Sequence, residues 1–361
     1  ARLPIETLEN YVLDCFANVP NNGLPPDDFK PFAEGIFDTP EFNRLYYVKP
    51  TKDLCQVDLT WCFPCLRDKY KSKPHQYISQ LLGDEGKGSV LSYLRKKVWG
   101  LATSIGNGET GSEHNSLYAL FTVTVVLTAE GLIHLYEAIK MLTNLLRPEK
   151  MNVMVMTNTL PNSLKYEKVE KWFGTEYTDT DIPQEWIKKW QSVEPFPELD
   201  IPSPNPYLTT DFSILPDVEN HPDYPQKVLN SALLEMWYRK DQKFKLPLAY
   251  YNFYLISPLA IESVSSPVLL DMLINLLVVA ITEEVYPATN ADLFHNFSMH
   301  EKGFMIKVSG YNEKLPLLIE VISEYLVTIH DHLTEDMFDA VKDKVIKSYY
   351  NKVLKPSTLA K

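Results

Sequence analysis

The alternation of apolar and polar positions predicts a regular succession of strands and helices in the first half of the chain. Apolar side chains at positions 57, 59, 61 and 63 alternate with polar ones, which is the period of a β-strand with one buried face. Helical spacing predicts helices over 6–19, near 74–82 and near 88–97, and extended runs follow at 99–106 and 117–127. Thr128 then provides an N-cap for a helix over 129–146.

The second half repeats this plan. A strand is predicted over 246–258, a helix over 265–286, a hairpin over 291–311 that turns at Glu301–Gly303, a helix over 314–329, and a helix that begins after Thr334 and ends near Leu354. Both halves therefore follow the order strand, helix, hairpin, helix. This order predicts an α/β (α+β) fold class with a structural repeat.

A proline-rich stretch separates the two halves. The prolines stand at positions 195, 197, 202, 204 and 206. So many prolines favour an extended, semi-rigid linker, because each fixes its backbone and cannot donate a hydrogen bond. We therefore expect a domain boundary there.

Composition narrows the class of protein. The chain has 361 residues, a net charge of −12 and four cysteines. The acidic balance argues against nucleic acid as a partner, which requires a basic face, and is compatible with basic substrates. Four cysteines in so long a chain predict no disulfide framework, so a reducing compartment is expected. The apolar run Val268–Ile281 is too short to span a membrane and contains Asp271 and Asn275, which predicts a buried helix.

A Trp-Cys-x-Pro-Cys cassette follows the first predicted strand. It comprises Trp61 to Cys65 and is similar to a thioredoxin-type redox site. A redox pair needs its first thiolate at the N-terminus of a helix, whose dipole lowers the thiol pKa. The residues after Cys65 lack a helical apolar stripe, and the strand alternation directs Cys62 to the polar face. An inert pair at a strand end is favoured over a redox site, and also over a zinc site, since no further ligands lie nearby.

Two glycine-rich stretches are similar to phosphate loops. In Gly83–Ser89 the residue after Lys87 is glycine, where the Walker pattern requires Ser or Thr, and the first glycine of that pattern is replaced by Leu81. Gly106–Gly111 has the spacing of a dinucleotide fingerprint, but a strand-like run follows it where a helix is needed. We therefore interpret the first as a turn between helices, with Ser89 near an N-cap, and the second as a hairpin turn.

Several longer stretches resemble the inverted-motif zinc metallopeptidases, the inverzincins of the peptidase M16 family. They include YISQLLGDEGKGSVLSYLRKKVWGLA, GNGETGSEHNSLYALFTVTVVLTAEG, LEMWYRKDQKFKLPLAY and KVSGYNEKLPLLIEVISEYL, and the resemblance extends in order over nearly the whole chain. It implies repeated two-layer domains of sheet and helix, arranged in that family as a two-halved chamber around a peptide. It also implies zinc-dependent peptide cleavage in the cytoplasm, a preference for basic or dibasic sites, and a homodimer.

The resemblance also implies where this chain lies in the family pattern. The zinc ligands and the catalytic base of the family lie in a first domain, before Ala1, and further substrate-orienting residues lie beyond Lys361. We accordingly assign no catalytic and no metal-binding residue to this chain, and no His-x-x-Glu-His motif occurs in it. The expected division is 1–33 for the end of the first domain, 34–195 for the second, 196–206 for the linker and 207–361 for an incomplete third domain. A segment of the family pattern is missing near Lys140–Met141.

One binding element is implied within the chain. In a member of the family, the second domain anchors the N-terminal end of a substrate by strand addition. The positions here that match this exosite are Thr103, Ser104, Ile105, Gly106 and Asn107, with Gly83 and Asp84 beside them. An edge strand offers free N–H and C=O groups to an extended peptide, and glycine permits close approach. The alternative is an ordinary hairpin strand without a ligand, and Ile105 stands where the relatives carry glycine.

Two functions remain open from the sequence. The first is the central, non-catalytic segment of a zinc metalloendopeptidase that binds peptide substrates. The second is a catalytically inactive homologue that acts as a peptide-binding or scaffold protein. The sequence upstream of Ala1 distinguishes them, because an intact zinc motif there is required only by the enzyme.

Overall fold

The computed structural model describes residues 3–25, 29–32, 35–108, 113–142, 148–161, 164–192, 196–214 and 223–354. The helices are α1 (Ile5–Phe16), α2 (Pro74–Leu82), α3 (Val90–Lys96), α4 (Ala129–Ile133), α5 (Leu135–Leu142), α6 (Gln184–Gln191), α7 (Ser266–Thr289), α8 (Leu315–Thr328) and α9 (Glu335–Val353). The strands are β1 (Arg44–Val48), β2 (Gln56–Pro64), β3 (Gly100–Gly106), β4 (Tyr118–Leu127), β5 (Met151–Met156), β6 (Lys168–Val169), β7 (Glu176–Asp181), β8 (Gln226–Asn230), β9 (Glu235–Tyr238), β10 (Leu248–Ile256), β11 (Phe294–His300) and β12 (Gly303–Tyr311). The mixed α/β class is thereby confirmed.

The first half forms one seven-stranded sheet in the order β3-β4-β2-β5-β1-β7-β6. Its inner face carries Val57, Leu59 and Trp61 of the central strand β2, each almost fully buried. These residues pack with the inward side chains of β4 and β5 and with helices α2, α3 and α5, and the period of two in β2 is therefore confirmed. The pairing of β1 with β5 is parallel, whereas the other strand pairs of this sheet are antiparallel.

The second half is built around a smaller sheet in the order β10-β12-β11. Helices α7 and α8 cover one face of it and bury Leu277, Ile281, Leu315 and Leu318 against Val308. The β11–β12 hairpin turns at Glu301–Lys302, as the sequence predicts. Strands β8 and β9 pair only with each other among the described strands. The two halves therefore share a sheet-and-helix construction but differ in the size of the sheet.

The predicted helix over 129–146 differs from the observed one. Thr128 does cap it, since its hydroxyl accepts a hydrogen bond from the backbone N–H of Gly131. The helix is interrupted at His134, so that α4 and α5 are separate, and residues 143–147 lie outside the described part of the chain. The predicted hairpin turn over 106–111 is described only as far as residue 108.

The proline-rich stretch lies against both halves of the molecule. The backbone N–H of Asp200 donates to the carbonyl of Gly88, and the side-chain amide of Asn205 donates to the carbonyl of Pro287 in α7. No helix or strand forms between residues 196 and 214, in agreement with an extended segment. This stretch therefore contacts both halves of the described structure through hydrogen bonds.

Helix α7 also contacts the first half directly. The hydroxyl of Tyr286 donates to the carbonyl of Gly83 at 3.0 Å, and the hydroxyl of Ser92 donates to Glu283 at 2.8 Å. At a second contact Asn351 of α9 exchanges two hydrogen bonds with the backbone of Asp53. None of the described helices, α7 included, is both long and apolar enough to cross a membrane.

A close backbone contact at Gly131 provides a test of the packing of α4. A Cβ atom added at this buried glycine would lie 1.8 Å from the carbonyl oxygen of Trp99, which is a backbone atom that cannot rotate away. We therefore expect Gly131→Ala to lower the free energy of unfolding by about 1–3 kcal/mol. Urea-induced unfolding followed by circular dichroism measures this loss.

The matched control for that substitution is Ile133→Ala in the same helix. Ile133 is 75% exposed, so its truncation should change the free energy of unfolding by no more than about 0.5 kcal/mol. Equal unfolding midpoints for Gly131→Ala and the parent chain would contradict the contact between α4 and Trp99.

Candidate functional site

The exosite positions lie on a strand at the edge of the large sheet. β3 pairs with β4 through a register that matches Thr103 with Val125, Ser104 with Thr124 and Gly106 with Thr122, and no other described strand pairs with β3. An edge strand directs the backbone groups of alternate residues away from its partner. The described strands thus leave one side of β3 open to an extended peptide.

The side chains of β3 divide between the two faces of the sheet. Ile105 lies opposite Val123 and packs against the buried core, whereas Ser104 is exposed on the other face. Packing of Ile105 therefore fixes the strand against the core, and the Arg95 guanidinium donates to the carbonyl of Leu101 earlier in the strand. Gly106 ends the strand with φ of +152°, a conformation that favours glycine, and a Cβ there would lie 3.3 Å from the hydroxyl oxygen of Ser79.

Gly83 and Asp84 lie behind this strand, in the loop that follows α2. The backbone of Gly83 accepts the hydrogen bond from Tyr286, and its α-carbon lies near Ile105. Asp84 is only 6% exposed, and one of its carboxylate oxygens accepts a hydrogen bond from the N–H of Gly86. Burial raises the pKa of the Asp84 carboxyl, and the hydrogen bond from Gly86 opposes that rise. Asp84 therefore stabilises the conformation of the loop by its hydrogen bond to Gly86.

Asn107 lies directly after the last residue of β3. Its side-chain amide donates to the carbonyl of Leu120 on β4 at 2.7 Å, which joins the two strands beyond their last backbone pair. Two histidines lie at the same end of the sheet, His75 in the first turn of α2 and His114 before β4, with ring centroids 6.4 Å apart. The sequence gives no sign of this pair, because the two residues are distant in the chain and belong to no motif.

The face of the sheet opposite the apolar core is polar beside β3, and Asp58 on it is only 7% exposed. Asp58 of β2 accepts a hydrogen bond from the Thr124 hydroxyl at 2.7 Å, and the hydroxyls of Thr60 and Thr122 pair at 3.3 Å. Further along the sheet the Arg44 guanidinium contacts Asp179 at 2.9 Å. Hydrogen bonding to Lys168, with help from Arg44, lowers the pKa of the Asp179 carboxyl below its usual value, so this carboxylate is ionised at neutral pH.

The cysteine cassette has no redox geometry. Cys62 lies within β2 and Cys65 just after it, and all four cysteines of the chain are free thiols. Burial raises the pKa of the Cys62 thiol, which disfavours the nucleophilic thiolate. The interpretation as a pair at the end of a strand is therefore confirmed.

The described residues do not fit the zinc centre of the inverted-motif zinc metallopeptidases. No group of three or more His, Cys, Asp or Glu side chains in the described ranges could hold a metal ion. The stretch Gly83–Ser89 also lacks a phosphate site, since it is the turn between α2 and α3, and the Ser89 hydroxyl caps α3 by accepting from the N–H of Ser92. Among the described residues the candidate site is therefore the edge of the sheet at β3.

Comparison with known proteins agrees with this geometry. A family model described as the middle or third domain of peptidase M16 matches residues 115–361, and one described as the peptidase M16 inactive domain matches residues 2–155. The crystal structure of pitrilysin superimposes with a TM-score of 0.62 at 17% identity, over 99% of this chain and 44% of that one, and so shares the fold.

Curated relatives extend the comparison to sequence. Nardilysin from Mus musculus and from Homo sapiens are each 35% identical over 431 residues, which cover 99% of this chain and 37% of theirs. The insulin-degrading enzyme from Homo sapiens is 26% identical over 97% of this chain and 40% of its own. The chain thus spans about two fifths of the length of these relatives. With the middle-domain model matching more than half of its residues, the chain belongs to the peptidase M16 family and comprises a non-catalytic, peptidase-related segment of it.

Proposed function

We propose that this chain is the central part of a zinc-dependent metalloendopeptidase, which encloses a peptide and anchors its N-terminal end on β3 by strand addition. The open side of β3 carries this proposal. The zinc ion and the cleavage chemistry would belong to parts of the protein other than the residues described here. We infer no step of the cleavage reaction for this chain.

The proposed anchor is made of backbone atoms. Residues Thr103 to Asn107 span about 16 Å in an extended strand, which is the length of a five-residue peptide segment. Alternate residues of this segment would exchange N–H and C=O hydrogen bonds with the peptide, and the absence of a side chain at Gly106 leaves room where the strand ends. Because these contacts are independent of side chains, we expect them to accept many sequences.

Gly83 and Asp84 contribute indirectly in this proposal. Their loop packs behind Ile105 and is held by the hydrogen bond from Tyr286 of α7. We therefore assign them a positioning role and reserve contact with the peptide for Thr103–Asn107. A bound peptide would pair with a strand whose opposite side is already fixed by β4, so little ordering of the protein is needed.

The preference for basic peptides rests on charge. The net charge of −12 creates a negative potential that attracts basic peptides and increases their rate of association.

All four cysteines are free thiols, which is the usual state in a reducing compartment and supports our placement of the protein in the cytoplasm.

We further propose the domain division 1–33, 34–195, 196–206 and 207–361. It is supported by the large sheet, whose strands β1 to β7 all fall within residues 34–195.

The alignment with nardilysin is 431 residues long and exceeds the whole chain of 361 residues by 70 positions. This excess supports our inference that a segment of the family pattern is missing near Lys140–Met141.

Strand addition can be tested with modified peptides and the unaltered chain. A fluorescent peptide is N-methylated at every second residue near its N-terminus, in two versions that differ by one residue in register. An N-methyl group removes a backbone donor and blocks pairing only if that residue faces β3. We expect one version to bind at least about tenfold more weakly than the unmodified peptide in fluorescence anisotropy, and the other to bind within about threefold.

Each result of that experiment has a definite meaning. If neither version loses affinity, the peptide does not pair with a strand edge and the anchoring proposal is wrong. A peptide acetylated at its N-terminus separates the two contributions to binding. It keeps the backbone N–H groups that pair with a strand and loses only the positive charge of the N-terminal amine.

The preference for basic peptides is tested with a series of equal length. Three peptides share one backbone and carry Lys-Arg, Gln-Gln or Glu-Glu at the same two positions. We expect affinity for the chain to decrease in that order at low salt, by about tenfold overall, and the difference to shrink as salt screens the charges. Equal affinities for the three peptides would refute charge as the basis of selection while leaving strand addition untouched.

A further inference from the structure

Two histidine side chains face each other beside the open end of β3. The ring centroids of His75 and His114 are 6.4 Å apart, with 55° between the ring planes. His75 stands in the first turn of α2, and His114 forms an isolated bridge with Ala119 of β4. Two elements that are distant in the sequence thus each contribute one imidazole to the same place.

The fold brings the two rings together because α2 runs antiparallel to β3. Gly83 at the end of the helix lies near Ile105, and Ser79, one turn earlier, lies near Gly106. His75, a further turn back, therefore reaches the end of the strand. Asn107 follows directly and is held to Leu120 on β4. Asn107 therefore lies at the same end of the sheet as His75 and His114.

Each of these three side chains has a polar atom without a partner. The Nδ1 atom of His75, the Nε2 atom of His114 and the Oδ1 atom of Asn107 are inaccessible to solvent and make no hydrogen bond within the described structure. Buried polar atoms are normally satisfied, because leaving them without a partner costs the free energy of removing them from water. Two such atoms on facing imidazoles, with a third at the same end of the sheet, point to a ligand that supplies the missing bonds.

The chemistry of the three atoms indicates that the ligand is a metal ion. A metal ion binds the neutral form of imidazole through a ring nitrogen that carries no proton, and the Nδ1 atom of His75 and the Nε2 atom of His114 are each free of a hydrogen-bond partner in the described structure. With metal–nitrogen bonds of about 2.0–2.1 Å, each ring centroid lies about 3.2 Å from the ion, so the observed 6.4 Å equals the separation of two imidazoles on opposite sides of one ion. A tetrahedral ion would bring the two rings to about 5 Å, which a small rotation of either side chain supplies. Imidazole suits Zn²⁺, Ni²⁺ and Cu²⁺, whereas Mg²⁺ prefers oxygen.

We propose that His75 and His114, together with the amide oxygen of Asn107, bind a divalent transition-metal ion of the zinc class. Water would complete the coordination, since three protein atoms leave at least one position open. The ion would connect the start of α2 to the β3–β4 hairpin. The site does not depend on peptide anchoring, so a chain that binds no peptide should still bind the metal.

The test is a calorimetric titration of the complete, chelator-treated chain with zinc chloride near neutral pH. We expect one Zn²⁺ per chain at this site and no comparable binding of magnesium chloride. His75→Gln and His114→Gln should each weaken zinc binding by at least about tenfold. The matched control is the double variant His330→Gln/His332→Gln, which removes two neighbouring histidines from the segment before α9 and should bind zinc as the parent does.

A second measurement avoids substitutions altogether, in case a variant fails to fold. X-ray absorption of the zinc-loaded chain distinguishes imidazole from sulfur ligands, and we expect the scattering of two imidazoles. Sulfur scattering would overturn the proposal and assign the ion to the free cysteines. The proposal is also overturned if the chain binds no zinc, or if His114→Gln folds and binds zinc as tightly as the parent chain does.

Discussion

The burial of the central strand β2 is the constraint on which the first half of the molecule depends. Val57, Leu59 and Trp61 are at most 2% exposed and lie between the inward side chains of β4 and β5. A strand paired on both sides cannot slip by one residue without moving these side chains to the polar face. On that face Asp58 binds the Thr124 hydroxyl, which fixes the same register from the other side.

The position of the candidate binding edge follows from this strand. β2 fixes β4 and β4 fixes β3, so the outer backbone of β3 is set by a core two strands away. An anchor on a rigid edge loses little entropy when an extended peptide binds. The geometry of this edge is thus determined by the core of the sheet and needs no contribution from the side chains of β3 that face away from it.

Local signals in the sequence predicted the elements that have strong local causes. The alternation in β2, the turn of the β11–β12 hairpin and the caps at Thr128 and Thr334 are confirmed because each depends on a few neighbouring residues. Strand β7, with the sequence EYTDTD, shows no apolar period. Its polar side chains are instead satisfied by ion pairs such as that of Asp179 with Arg44, which depend on tertiary structure.

The same distinction applies to the candidate site. The resemblance to the family identified the segment Thr103–Asn107, and periodicity identified it as extended, but neither could show that Asp84 is buried in the loop behind it. The parallel pairing of β1 with β5 joins residues about a hundred positions apart and leaves no local pattern. The His75–His114 pair depends on the antiparallel arrangement of α2 and β3, which packing alone decides.

Helix α2 gives these features a common physical basis. His75 lies at its start, Ser79 contacts the end of β3 at Gly106, and Gly83 at its end accepts the hydrogen bond from Tyr286 of α7. A nine-residue helix is about 13 Å long and stiff, so a displacement at one end is transmitted to the other. The candidate binding edge therefore shares one rigid element with the contact between the two halves. A change in the packing of α7 against the loop at Gly83 would therefore alter the position of β3 at the edge of the sheet.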